Sequence, residues 1–319
     1  MNLYVYITKW VKPAKNLTRI KDEFYLLARN TTEFLKGTGV PTFIDPILII
    51  LKNLGEIKEY EIKIKIISNE DIGIDYSDFS RTLDNKSVEI HNLVYDVALF
   101  NDPFELSRKY IDFFEKDVQN SDSDDIFVYL EHDQLFTQSN LDYFKLYAGF
   151  LDQYNLRPGF IRIEWNNSRK RWQTTDSTNT GSNFVDNLNV LALNNDLVFL
   201  TLDNPYFGFS VHSSRSAKRF FKYRSDCSNV SNLSKWGMTE ISAMTDLLDI
   251  SSSSLAKELH FTSIAPIAFD RSRKQIVSGA LAWHLSNRYA NTSAIFKNFR
   301  RFGNQSLVDL NEYIFKNYK

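Results

Sequence analysis

IFVYLEHDQ, residues Ile126 to Gln134, runs five apolar side chains together and then turns abruptly polar. A run without apolar/polar alternation belongs to a strand covered on both faces, the signature of a central parallel strand in an α/β sheet. Its flanks agree. SDSDD (Ser121 to Asp125) is a polar loop, and Ser139 caps a helix through Tyr154 with Leu141, Phe144, Tyr147, Ala148 and Leu151 at helical spacing.

Outward from this core, strands and helices keep alternating. LYVYIT (Leu3 to Thr8) is β-branched and aromatic and reads as a buried strand. Asp22 to Lys36 sets Phe24, Leu27, Thr31, Phe34 and Leu35 on one helical face before Gly37 and Gly39. Asp45-Pro46 supplies the N-cap and first-turn proline of a helix running to Gly55, and EIKIKIIS (Glu61 to Ser68) alternates as a strand does. Asp102-Pro103 opens a helix burying Leu106, Tyr110, Phe113 and Phe114. GFIRIEW (Gly159 to Trp165) is a strand, and the polar segment Asn166 to Asn183 reads as an exposed loop. Then come a strand at Val198 to Thr201, helices at Ser213 to Tyr223 and Thr239 to Asp249, strands near Phe261 to Ala268 and Gln275 to Trp283, and a last helix from Ser306 to Phe315. The pattern predicts an α/β fold with a mainly parallel sheet flanked by helices over residues 1–292, and a C-terminal helical extension over residues 293–319.

Composition narrows the function classes. With 38 Lys+Arg against 39 Asp+Glu the net charge is −1, so there is no broad basic field and nucleic acid is not an expected partner. The chain's one cysteine, Cys227, excludes an intrachain disulfide framework and a Cys-rich zinc site, which makes the cytoplasm the expected compartment. The run at the N-terminus is too short and polar for a signal peptide, and the apolar cluster Pro46 to Leu51 falls far short of the roughly 20 residues of a membrane span. SRSAKRFFKYR (Ser214 to Arg224) mixes cations with aromatics; it reads first as the solvated face of an amphipathic helix and allows at most peripheral membrane contact.

Chemistry concentrates where the central strand stops. In open α/β sheets ligands bind in the crevice beyond the carboxyl ends of the strands, and Glu131-His132-Asp133 stands at such an end. Strand alternation would point Glu131 and Asp133 to one face, where two carboxylates suit a hard cation, Mg²⁺ or Mn²⁺, that keeps other positions for phosphate and water. The same residues also make an ordinary acidic turn. No P-loop or G-x-G-x-x-G is present, which argues against kinases and dinucleotide oxidoreductases.

Strand-YLEHD, a helix, GFIRIEW, a helix beginning near Glu240 and a late strand ending at His284 together resemble the motif order of metal-dependent nucleotide-sugar glycosyltransferases of the Rossmann-like GT-A fold. The resemblance implies that Glu131, Asp133 and His284 hold Mn²⁺ or Mg²⁺. It also implies that Glu240, in a first helical turn, is the base of an inverting transfer. Arg288 would offset charge on the leaving diphosphate; Thr8, Lys9, Asn69, Glu70 and Asp71 would meet the donor nucleotide. Arg162, Glu164, Trp165 and Tyr206 would face a glycan or lipid-linked glycan acceptor, since sugar rings stack on aromatics and hydrogen-bond to charged groups. Glu131-His132-Asp133 departs from the usual Asp-x-Asp. Two other classes remain open: a non-catalytic carbohydrate-binding protein, and a metal-dependent phosphodiesterase, for which the histidines are too dispersed to build a two-metal site.

Overall fold

The structure, a computed structural model, describes residues 1–10, 46–71, 88–96, 98, 100, 103–174, 190–200, 208–226, 264–285 and 305–317. In chain order its elements are β1 (Asn2–Lys9), α1 (Pro46–Gly55), β2 (Glu61–Ser68), β3 (Val88–Val94), a 3-10 helix (Pro103–Arg108), α2 (Tyr110–Gln119), β4 (Ile126–Glu131) and β5 (Gln134–Leu135). There follow α3 (Gln138–Asp152), β6 (Ile161–Asn166), β7 (Arg171–Thr174), β8 (Val190–Ala192), β9 (Leu197–Leu200), β10 (Phe209–Ser213) and α4 (Ser214–Asp226). Last come β11 (Ile267–Asp270), β12 (Gln275–Ile276), a 3-10 turn (Ser278–Ala280), β13 (Leu281–His284), β14 (Gln305–Ser306) and α5 (Leu307–Asn317). The protein is mixed α/β with a mostly parallel central sheet flanked by helices, and it divides into two compact units. Among the described residues no helix is long and apolar enough to cross a membrane.

The first unit lies within Met1–Thr32, Pro41–Gln138 and Gly208–Ala243. Its sheet has the order β10-β4-β1-β2-β3, with β4, β1, β2 and β3 parallel and β10 antiparallel to β4. Alternation makes one face aromatic, from Tyr4 and Tyr6 of β1 and Phe127 and Tyr129 of β4, and the other aliphatic, from Leu3, Val5, Ile7, Val128 and Leu130. Helix α2 covers the aromatic face: Tyr110 stacks on Tyr129 at 4.2 Å, and Phe114 lies 5.3 Å from both Tyr6 and Phe127. His212 of β10, paired with Phe127, joins this packing 5.6 Å from Phe114, so it is a core residue. The Tyr6 hydroxyl donates to Asp117 of α2 at 2.6 Å, and Lys65, beside Tyr6 on β2, pairs with the same carboxylate. Asp125 is buried and accepts from the Asn2 backbone N–H at 2.7 Å, fastening the start of β1 to the start of β4.

The second unit lies within Glu33–Val40, Ser139–Phe207 and Met244–Lys319. Strand β6 runs parallel to β13 and antiparallel to β7, which β14 borders; β12, β11, β9 and β8 form an antiparallel sheet. Tyr143 of α3 ties these parts together, donating to the Gly159 carbonyl at 3.1 Å and accepting from the Ala268 N–H at 3.2 Å. Gly159 is obligatory, because a Cβ there would sit 1.9 Å from the Ala265 carbonyl oxygen. Helix α5 buries Leu310 and Ile314 against β7, β12 and β14.

Several elements differ from the sequence reading. The segment read as a loop from Asn166 to Asn183 contains β7, a hairpin partner of β6. The Asn166 side chain closes that turn by accepting from Ser168 and from the Arg169 N–H, both at 2.8 Å, with Lys170 left-handed at φ 51°. The strand expected from Gln275 to Trp283 is broken into β12, a 3-10 turn and β13, since Asn140 draws the Gly279 and Leu281 carbonyls inward at 2.8 and 3.0 Å. β3 and β10 are strands the pattern did not mark: β3 is an edge strand with neither face buried, and β10 carries a buried polar face. The helix expected from Asp102 is a 3-10 turn followed by α2, and Phe113 is only half-buried. The helices read at Asp22 to Lys36 and Thr239 to Asp249 lie outside the described residues.

Candidate functional site

In the first unit the chain steps from β1 to β2 to β3 in one direction, then returns to the other side of β1 for β4. The order therefore reverses between β1 and β4, the place where open α/β sheets leave a crevice at their carboxyl ends. Thr8 and Glu131 are Cα partners at that end, and Lys9 follows as the buried last residue of β1. The Thr8 hydroxyl is held 3.0 Å from the Tyr129 hydroxyl, so the tip of β1 is fixed from beneath. β2 ends in register with β1, Ser68 opposite Lys9. The Ser68 hydroxyl donates to the Glu70 carbonyl at 2.7 Å, and Asn92 at the end of β3 donates to Asp71 at 3.3 Å, which orders Asn69, Glu70 and Asp71 beside the crevice. Thr8, Asn69, Glu70, Asp71, Glu131 and Asp133 thus share one edge of one sheet.

The acidic pair is arranged differently from a continued strand. β4 ends at Glu131, and His132 and Asp133 form a two-residue turn into β5, so alternation does not govern Asp133. Glu131 is half-buried and Asp133 buried. The Glu131 N–H donates to the Gly208 carbonyl at 3.0 Å, which pins the turn to the residue preceding β10. Two carboxylates in this setting are the oxygen donors that Mg²⁺ or Mn²⁺ accepts when it keeps other positions for phosphate and water. Among the described residues no group of three or more His, Cys, Asp and Glu side chains gathers as a metal cluster.

In the second unit Arg162, Glu164 and Asn166 alternate onto one face of β6, all buried, where sheet faces are ordinarily apolar. Gln173 of β7 is the cross-strand partner of Glu164, and His284 ends β13 on its other side, so Gln173, Glu164 and His284 form one transverse row. The Glu164 carboxylate hydrogen-bonds to His284 Nδ1. Against an ionised carboxylate, Nδ1 is the nitrogen that carries a proton and donates it to Glu164. Asn166 donates to Gln173 Oε1 at 2.9 Å. Sequence reading expected His284 at an edge open to a cleft; it is 2% exposed because Glu164 takes it into this row. Trp165 faces the opposite side, half-exposed, in a ladder with Trp172 at 5.3 Å and Trp283 beyond it at 5.2 Å from Trp172. Arg162 and Glu164 therefore share a face that Trp165 does not.

Glu240, Arg288 and Tyr206 lie outside the described residues. Sequence reasoning missed Gln134, buried directly after Asp133, and Gln173, hidden in a segment read as a loop. The RWQT alternation of Arg171 to Thr174 was the available signal for the second; a lone glutamine gives none for the first. No family model and no curated protein matches the chain.

Proposed function

We propose that the chain is a metal-dependent glycosyltransferase of the GT-A kind, moving a sugar from a nucleotide-sugar donor to a glycan or lipid-linked glycan acceptor. One observation carries the reading: Thr8 and Lys9 of β1, Glu131 at the end of β4 and Asp133 in the turn after it lie at the reversal point of a parallel sheet. A dinucleotide or nucleotide ligand fits such a crevice, and the carboxylates select a donor whose diphosphate arrives with a divalent ion. Glu131 and Asp133 would hold Mn²⁺ or Mg²⁺, which supplies charge neutralisation at the diphosphate when bound. Lys9 adds a cation at the same edge, and the segment Asn69 to Asp71 after β2 offers carbonyl and carboxylate acceptors for ribose hydroxyls.

The rest of the reading assigns Glu240 to deprotonate the acceptor hydroxyl in an inverting displacement and Arg288 to offset the leaving charge. Trp165 presents a ring to an acceptor sugar. The metal of this reading rests on Glu131 and Asp133; His284 belongs to the second unit, where Glu164 holds its ring.

Thermal shift and calorimetry with UDP, GDP, ADP, CDP and dTDP, with and without Mn²⁺, test it. Binding of one diphosphate that requires Mn²⁺ and disappears in Asp133→Ala, with the fold retained, is expected. Binding that ignores both the metal and the substitution would refute the metal-dependent transferase.

A further inference from the structure

Trp10 follows the last residue of β1 and is 37% exposed, the one tryptophan among the described residues that stands in solvent. Trp165, Trp172 and Trp283 pack on one another, whereas the Trp10 indole makes no ring contact and no hydrogen bond among the described residues. A side chain of this kind ordinarily buries roughly 150–250 Å². A single exposed apolar residue means little by itself; its place gives this one a meaning. Lys9 is the Cα partner of Ser68 and Thr8 that of Glu131, so Trp10 carries β1 past the sheet edge between the tips of β2 and β4. At ordinary strand spacing its backbone lies within roughly 10 Å of Asn69 and Glu70 on one flank and of Glu131 on the other.

A protein or lipid partner needs continuous apolar surface, and the described residues flanking Trp10 at this edge, Lys9, Asn69, Glu70 and Asp71, are all polar. An isolated ring among hydrogen-bonding groups suits a flat ligand with a π-face and polar atoms on its rim, which describes a nucleobase. Resting on the function proposed above, we infer that Trp10 is the stacking platform for the base of the donor nucleotide. With the diphosphate at the carboxylates on the β4 side, the nucleoside extends across the tip of β1 toward Asn69 to Asp71 beyond β2. Trp10 stands on that path, and the transferred sugar, attached at the far phosphate, does not.

The test compares wild type, Trp10→Phe and Trp10→Ala by calorimetry and indole fluorescence in the presence of Mn²⁺. The probes are UDP, GDP, ADP, CDP and dTDP, with inorganic pyrophosphate as the ligand that has no base. The diphosphate that wild type binds should weaken about 5- to 150-fold in Trp10→Ala, the worth of one base–aromatic stack, and no more than about threefold in Trp10→Phe. Affinity for pyrophosphate should stay within about twofold in all three proteins. Bound nucleotide should quench wild-type emission, and Trp10→Phe should bind it without that quenching. Because the position is exposed, both variants should melt within about 2 °C of wild type. Equal nucleotide affinity in wild type and Trp10→Ala, a weakening that pyrophosphate shares, or quenching that survives in Trp10→Phe overturns the assignment to the base. Failure of the underlying reading looks different: the wild-type protein itself then binds neither nucleotide nor pyrophosphate with Mn²⁺.

Discussion

Glu164 and His284 sit side by side on parallel strands, joined by a hydrogen bond through Nδ1, with exposures of 0% and 2%. Gln173 stands opposite Glu164 on the antiparallel neighbour, so the carboxylate is enclosed by polar side chains on both flanks. Removing it leaves buried donors facing a cavity. Glu164→Ala should cost about 3–5 kcal/mol, and Glu164→Gln less, because the amide oxygen can still accept from Nδ1. Urea denaturation of these variants, of His284→Ala and of the double variant should show a double loss well short of the sum.

Gly208 has φ 75° and lies beneath the Gln134 amide. Gly208→Ala should destabilise by about 2–4 kcal/mol, of which about 1–2 reflects left-handed backbone and the rest overlap with Gln134. Adding Gln134→Ala should restore the overlap part and not the backbone part, a split readable in denaturation midpoints. Equal stability of Gly208→Ala and wild type would contradict the packing described.

Burial and the Asp117 carboxylate push the Tyr6 hydroxyl well above the ordinary tyrosine range, and burial does the same for Tyr143. Folding therefore favours the neutral phenols. Their contribution is complete below the unfolded tyrosine value of about 10 and is lost as pH rises beyond it. Stability measured between pH 8 and 11 should fall at the upper end, and Tyr6→Phe should flatten that fall. At pH 7 the same substitution should cost about 1–2 kcal/mol for the lost hydrogen bond to Asp117.

Asp270 at the end of β11 works in the opposite direction. The Ser272 hydroxyl at 2.7 Å, then the Arg273 N–H at 2.9 Å, hold its carboxyl below the ordinary value. Its contribution is present above the unfolded value of about 3.9 and disappears as pH falls toward the lower folded one. Ser272→Ala should be less stable than wild type at pH 5, with the gap closing by pH 2. A gap that widens on acidification would reverse the assignment.

How much of this could be read from sequence depended on what each residue type signals. IFVYL and EIKIKIIS announced β4 and β2 because continuous and alternating apolar runs are the marks of strands with defined faces. Pro46 fixed the start of α1 through its locked φ. β10 escaped notice because its Ser210 and His212 point into the core, where apolar residues are expected. The row of Arg162, Glu164, Asn166, Gln173 and His284 was legible only as scattered polar residues. Cross-strand register, which no local pattern encodes, is what brings residues more than a hundred positions apart into one line. Position at a strand tip revealed Glu131, whereas the turn that redirects Asp133 follows from tertiary pairing with Gly208.

Of the five tryptophans in the chain, Trp165 meets Trp172 edge-on at 5.3 Å and Trp283 lies tilted against Trp172 at 5.2 Å in the second unit, while the first unit's aromatic face is built from tyrosine and phenylalanine. Indoles so close couple their optical transitions, so circular dichroism and red-edge emission become a gauge native to β6, β7 and β13. Melting of those strands can be watched by light without a label, separately from the tyrosine signal of the parallel sheet.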